Sequence, residues 1–176
     1  VKLSREEARL RAEAKGCTPY DALLDIFEPD MSSARLDVLF GDLKSWLPEL
    51  LAKVVEKQVQ RSFVPPQGPF PTATQRELGL EAMKMLGFDF NGGRLDVSAH
   101  PFCGGVPEDV RITTRYDEDE LLSALFGVIH ETGHARYEQN LPRAWAGQPV
   151  ALARSTAIHE SQSLFFEMQL GRSQAF

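Results

Sequence analysis

The run GVIHETGHARYEQ, residues 127–139, brings His130, Glu131 and His134 together within a single turn of helix. On an α-helix four residues rotate by about 400°, so the two imidazoles emerge about 40° apart and one turn along the axis. At that spacing both can reach one zinc ion at about 2.0–2.1 Å. Glu131 is offset by about 100°, beside such an ion rather than on it. Its carboxylate can there take a proton from a water whose pKa zinc has lowered to about 7. Gly127 and Gly133 slim the helix at this point. Two interior glycines cost roughly 1–2 kcal/mol against alanine, and the close approach of another element is the expected reason. The alternative is a histidine-bearing face of an ordinary helix.

A catalytic zinc site needs three protein ligands and an open position. The run ARYEQN after His134 lacks the Gly and His that a metzincin has there, so the third ligand must come from elsewhere. Glu160, in HESQS 26 residues beyond His134, is the best candidate. A helix, a loop and an antiparallel second helix would return it opposite the histidines, completing a His-His-Glu zinc set. Among Ile158, Leu164 and Phe165, an unpaired Glu160 would be costly to bury without a cation; the alternative is a solvated helix carboxylate. Glu167, two turns further on the same face, is placed either to orient a ligand histidine through its free ring nitrogen or to lie on the surface. His159 is read as backing a ligand, touching substrate or facing solvent. All four histidines fall in compact motifs: HPF (His100), HETGH (His130, His134) and HES (His159).

The elements that must carry these groups are mostly helical. SREEARLRAEA reads as a charged helix capped by Ser4 and closed by Gly16, and Thr18-Pro19 opens a second. From Ser32 an amphipathic pattern runs through Leu36, Leu39, Phe40, Leu43, Leu47, Leu50 and Val54, with a kink or break expected at Pro48. RSFVPPQGPFPTATQ reads as a connector, and TQRELGLEAMKMLG as a helix that stops at Gly87. GRLDVSAHPF and DVRITTRY alternate apolar and polar residues, which predicts two short strands joined by a turn at CGGVPE. DEDELLSALFGVIHETGHARYEQN resumes helix with an acidic first turn, and a last helix starts near Ser155. The domain reading is one unit over 1–176: a helical region at 1–61, a proline-rich connector at 62–74, and 75–176 carrying the strand pair and the two site helices.

Composition sets bounds on this reading. With 176 residues, 43% hydrophobic and 25% charged, the chain has an ordinary globular make-up. The net charge of −6 argues against nucleic acid or an anionic membrane as the main partner. No apolar run approaches the roughly 20 residues that span a bilayer. The N-terminus has no apolar signal core, and it begins on Val, so further chain is expected upstream. Cys17 and Cys103 form no C-x-x-C pair, which favours two free thiols in a reducing compartment.

HPF at 100–102, DVRIT at 109–113 (Asp-x-Arg-x-Thr), HETGH at 130–134 and HESQ at 159–162, in this order and spacing, resemble the motifs of the carboxypeptidase Taq family of zinc metallocarboxypeptidases. The similarity runs from about Asp21 onward. It implies a mainly α-helical, neurolysin- or zincin-like groove fold with a small antiparallel β-hairpin beside the metal-binding helices. It also implies broad-specificity removal of residues from peptide C-termini, a cytoplasmic homodimer, and Zn2+ that Co2+ can replace. By the resemblance His130, His134 and Glu160 are the zinc ligands, Glu131 is the general base, and His100 and Arg111 line the groove. The structural alternatives are Arg111 pairing with Asp109 or Asp96, and His100 capping a turn.

Two further motifs of that family, Ile-Arg-x-x-Ala-Asp and Gly-x-x-Gln-Asp-x-His-Trp, are absent from the sequence. The chain is therefore expected to be an internal fragment or short form, a single partial catalytic domain. An exopeptidase needs a cation for the substrate's terminal carboxylate, and nothing in the sequence assigns that role among Arg111, Arg115 and Arg154. The rival functions are an endo- or oligopeptidase with the same ligand set, and a non-catalytic metal-binding homologue.

Overall fold

The computed structural model describes residues 1–62 and 64–176; Phe63, within the expected connector, lies outside the described residues. The architecture is mainly helical with one small sheet. The chain divides into two compact units, Val1–Pro65 and Pro66–Phe176.

The first unit holds α1 (Lys2–Lys15), α2 (Pro19–Phe27) and α3 (Ser33–Val59). Gly16 ends α1 in the left-handed conformation (φ 69°). Ser4 lies inside α1 instead of capping it, because the Arg5 N–H already bonds Val1 O at 3.0 Å and starts the helix a turn earlier. Thr18 caps α2 by accepting from the Asp21 N–H at 3.1 Å. Small side chains at Ala8, Ala12 and Ala22 are buried, and Lys15 forms an ion pair with Asp25. Ser32 caps α3 through the Arg35 N–H at 3.2 Å. The helix then runs through Pro48 unbroken, which removes the break from the expected kink or break. One proline removes a single backbone donor, and the turns on both sides keep theirs. No residue of α3 is buried, and Phe40, Trp46 and Leu50 of its apolar stripe are exposed.

The second unit carries the chemistry-bearing motifs. Its first helix, α4 (Thr72–Met85), begins two residues ahead of the expected Thr74 and is capped by Leu86, just before Gly87. Gly87 has φ 82°, and the Phe88 N–H returns to Met83 O at 2.9 Å, a helix stop that favours glycine. Strands β1 (Gly93–Val97), β2 (Phe102–Val106) and β3 (Asp109–Thr114) form a sheet in the order β1-β3-β2.

An antiparallel hairpin is present, but its strands differ from those expected. It joins β2 to β3, with Phe102 opposite Thr113 and Val106 opposite Asp109. The predicted first strand, β1, pairs parallel to β3. CGGVPE is therefore mostly strand, and only Pro107-Glu108 turns. The two glycines read as a turn signal, yet Gly105 serves a strand kink. It has φ 114°, and a Cβ there would lie 2.2 Å from Asp109 O, so only glycine fits.

Helix α5 (Leu121–Gln139) packs on α4 and the sheet, burying Val128 and Ala135 against Met83, Leu95 and Ile112. The acidic run precedes α5, and Glu120 caps it through the Leu122 N–H at 3.2 Å. A link with two 3₁₀ turns (Arg143–Trp145, Pro149–Ala151) leads to α6 (Thr156–Leu164), which Ser155 caps. Beyond Leu164 the coil widens to a π-helical segment, Phe165–Gly171, where a continuous α-helix was expected.

α6 crosses α5 at Gly133. A Cβ on Gly133 would lie 2.5 Å from Ser163 Cα and 2.7 Å from Gln162 O, whereas one on Gly127 would meet only Pro101 Cγ at 3.8 Å and Thr114 Oγ1 at 3.9 Å. Gly133→Ala is thus expected to lower the urea midpoint, by about 1–3 kcal/mol or more of stability. Gly127→Ala should be neutral or stabilising by up to about 1 kcal/mol. Equal effects of the two substitutions would contradict the crossing.

Candidate metal centre

Helix α5 sets the histidines by its own period: the rings of His130 and His134 lie 5.0 Å apart, edge to face at 76°. The crossing at Gly133 then lays α6 over them, close enough for Glu160 to reach both. Its Oε1 is 3.6 Å from His130 Nε2 and its Oε2 is 3.2 Å from His134 Nε2. One donor atom from each of the three residues lies within 4.8 Å of the others. Donors on a tetrahedral ion at 2.0–2.1 Å would stand about 3.3–3.5 Å apart, close to the two contacts that Glu160 makes.

The far side of each imidazole is also engaged. His130 Nδ1 meets Glu167 Oε2 at 3.0 Å. Arg172 donates to the other oxygen of Glu167 at 2.6 Å and stacks over Phe126, 4.5 Å from the ring centroid. Burial alone would push the Glu167 carboxyl upward, but the hydrogen bonds from Arg172 and His130 prevail and hold it below its ordinary value. An ionised Glu167 only accepts, so the His130 proton sits on Nδ1 and Nε2 presents a lone pair to the cluster. His134 Nδ1 lies 2.6 Å from His159 Nδ1, and His159 Nε2 lies 2.7 Å from Glu138 Oε1. Burial first, and the neighbouring His159 and His130 next, lower the His134 pKa. Each ring is held from behind with its Nε2 toward Glu160.

Glu131 is buried beside His130 at 8% exposure. Burial raises its pKa, opposed by His130 and His100 and reinforced by Glu160, the direction expected of a carboxylate that must receive a proton. His100 sits in the bend between β1 and β2. Its carbonyl accepts from the Thr113 hydroxyl at 3.1 Å, and that hydroxyl oxygen in turn accepts from the Phe102 N–H at 3.1 Å. The threonine of Asp-x-Arg-x-Thr thus pins the HPF bend to β3. Arg111, on the same strand, is exposed in a bidentate pair with Asp109 (Nη2–Oδ2 2.6 Å). Among the described residues it has no ion pair with the His-His-Glu group, while Asp96 is taken by Arg94 at 2.7 Å.

The tertiary structure therefore gathers His130, His134, Glu160, Glu167 and His159, with Glu131 adjoining, His100 within electrostatic reach of Glu131 and Arg111 turned to Asp109. Glu138 and Arg172 join the cluster without having been singled out in the sequence. Glu138 is one helical turn past His134, a spacing that could have flagged it. Arg172 follows Glu167 by five residues, a π-helical interval that α-helical periodicity misses.

Comparison with known proteins identifies the family. The model of the carboxypeptidase Taq (M32) metallopeptidases matches residues 1–176. Carboxypeptidase 1 of Bacillus subtilis is 47% identical over 161 residues, covering 90% of this chain and 32% of that protein. Thermostable carboxypeptidase 1 of Thermus thermophilus is 44% identical over 158 residues, covering 89% and 31%. The structure of Trypanosoma cruzi metallocarboxypeptidase 1 superposes with a TM-score of 0.91 at 57% identity, over 98% of this chain and 35% of that one. The chain thus spans about a third of the length of these relatives. It belongs to the carboxypeptidase Taq (M32) family of metallopeptidases.

Proposed function

We propose that this chain carries the metal-binding core of a zinc-dependent carboxypeptidase that hydrolyses C-terminal peptide bonds with broad specificity. Both units would then be parts of one catalytic domain. The observation that carries the reading is the pair of Nε2 atoms converging on Glu160 while both Nδ1 atoms are engaged behind them. Two neutral imidazoles and one carboxylate suit Zn2+, or Co2+ in its place, better than the all-oxygen sites of Mg2+ or Ca2+. When bound, zinc would polarise the scissile carbonyl and acidify water.

The protein's own residues supply the rest. His130, His134 and Glu160 hold the ion, and Glu167 fixes the His130 ring. Glu131, its proton affinity raised by burial, takes the proton of the attacking water and delivers it to the departing amine. The cleft beside His130, about 430 Å3 and lined by Leu122, Phe126 and Gly127 together with Glu167 and Arg172, gives a peptide room to approach. His100 and Arg111 are assigned to the groove wall. Arg111 would have to exchange Asp109 for a substrate carboxylate. The free thiols of Cys17 and Cys103 suit a cytoplasmic setting, and no helix among the described residues is long and apolar enough to cross a membrane. Peptides are the proposed partners, with a second copy of the chain in a homodimer.

Three outcomes are expected. Glu160→Ala should lower zinc content after dialysis to background, and wild-type content would remove Glu160 from the ligand set. Glu131→Gln should retain zinc but lose hydrolysis by about a hundredfold or more; turnover near wild type would take the proton-transfer role from Glu131. A free-acid peptide should be trimmed much faster than its C-terminal amide, whereas equal rates would indicate an endopeptidase.

A further inference from the structure

The two histidines are backed in different ways. Behind His130 stands a carboxylate, Glu167, in direct contact at 3.0 Å. Behind His134 stands another imidazole, and only beyond it a carboxylate, Glu138. His159 is held in this position by ring contacts on two sides, with Tyr137 edge-on at 4.9 Å and His134 at 4.7 Å. Glu138 and His159 also line a small cavity of about 110 Å3 under β2. The three side chains along this path are largely shielded, at 26%, 20% and 17% exposure for Glu138, His159 and His134.

The positions of the hydrogens follow from one end. An ionised Glu138 has only lone pairs, so the contact to His159 Nε2 at 2.7 Å requires the proton on that nitrogen. A His159 ring with that single proton has a bare Nδ1, which can only accept. Its contact with His134 Nδ1 at 2.6 Å must therefore be donated by His134. That leaves His134 Nε2 as a lone pair facing Glu160. The opposite polarity would put the proton on Nε2, where it would point at Glu160 and deny a cation its donor. The His134 ring by itself does not choose between these tautomers; His159 of α6, held by Glu138 one turn further along α5, does.

We propose that Glu138 and His159 are positioning residues, a carboxylate–imidazole relay that locks His134 in the Nδ1–H tautomer and aims its Nε2 at the metal. This rests on the reading of His130, His134 and Glu160 as the metal site. The relay makes the second ligand depend on two residues that touch neither metal nor substrate. It also accounts for the Tyr-Glu pair after HETGHAR, at 137 and 138. The tyrosine wedges His159 in place, and the glutamate sets its proton.

The test measures Zn2+ affinity by competition with a chromogenic chelator, on chains whose circular dichroism matches wild type. Glu138→Leu, which removes the acceptor, is expected to weaken binding roughly 10–100-fold. Glu138→Gln keeps an acceptor oxygen and should stay within about tenfold of wild type. A Leu variant that binds as wild type, or a Gln variant as weak as the Leu one, overturns the relay. A second readout needs no substitution. In the metal-free wild-type chain, 15N shifts of His134 should show Nδ1 protonated and Nε2 bare, and the reverse overturns the proposal. Glu160→Ala separates the two layers: if it loses zinc while Glu138→Leu does not, only the relay fails, and if it keeps zinc, the site reading beneath it fails.

Discussion

Helix α5 can set the spacing of its own two imidazoles, but it cannot supply a third donor. That donor depends on how closely α6 comes. At Gly133 the approach is backbone to backbone, with Ser163 fully buried at the contact and its hydroxyl donating to Glu160 O at 2.7 Å. A methyl group in this place would have to displace the α6 main chain, because the atoms it would meet are backbone atoms and not flexible side-chain tips. The residue that costs α5 helix propensity is thus the one that lets Glu160 sit between two Nε2 atoms at 3.2 and 3.6 Å. Thr132, next to it, turns its hydroxyl back to Val128 O at 2.6 Å and adds no polar group to the crossing.

Around this crossing the charges are unbalanced in one direction. Glu131, Glu138, Glu160 and Glu167 surround the imidazoles of His130, His134 and His159. Arg172 answers one of these carboxylates, Glu167. In a partly desolvated cluster such an excess of negative charge is costly unless a cation enters or a carboxyl takes up a proton. The site is prepared for both: Glu160 faces the donor atoms, and Glu131 has its proton affinity raised by burial. The groups differ less in chemistry than in what stands behind them.

The sheet contributes by fixing the HPF bend. Thr113 both donates to His100 O and accepts from the Phe102 N–H, so a single hydroxyl closes the loop between β1 and β2. Arg111 and Asp109, two residues apart on one face of β3, satisfy each other. Of the three named positions in Asp-x-Arg-x-Thr, the threonine therefore acts on the loop nearest the site, while the other two form a surface ion pair. Behind the sheet, the buried Gln139 holds the turn before β1 from α5, accepting from the Asp89 N–H at 3.0 Å and donating to Asp89 O at 2.9 Å.

Local periodicity alone determined most of the helices, their openings near Thr18, Ser32 and Ser155, the stop at Gly87 and the i, i+4 histidine pair with Glu131 beside it, while the one cap it named, Ser4, lies inside α1. All of these depend on residues within a turn or two of one another. The His-x-x-x-His spacing and a distant glutamate were enough to name the ligand candidates. What lay beyond the sequence is whatever depends on separate elements meeting. β1 runs parallel to β3 while Thr113 anchors the bend that follows β1, and two glycines that read as a turn lie within a strand, Gly105 at φ 114°. Glu138 and Arg172 entered the site only through contacts with α6 and the π-helical coil after it. A carboxylate on a helix looks the same in sequence whether it faces water or an imidazole, and the choice is made by the element packed against it.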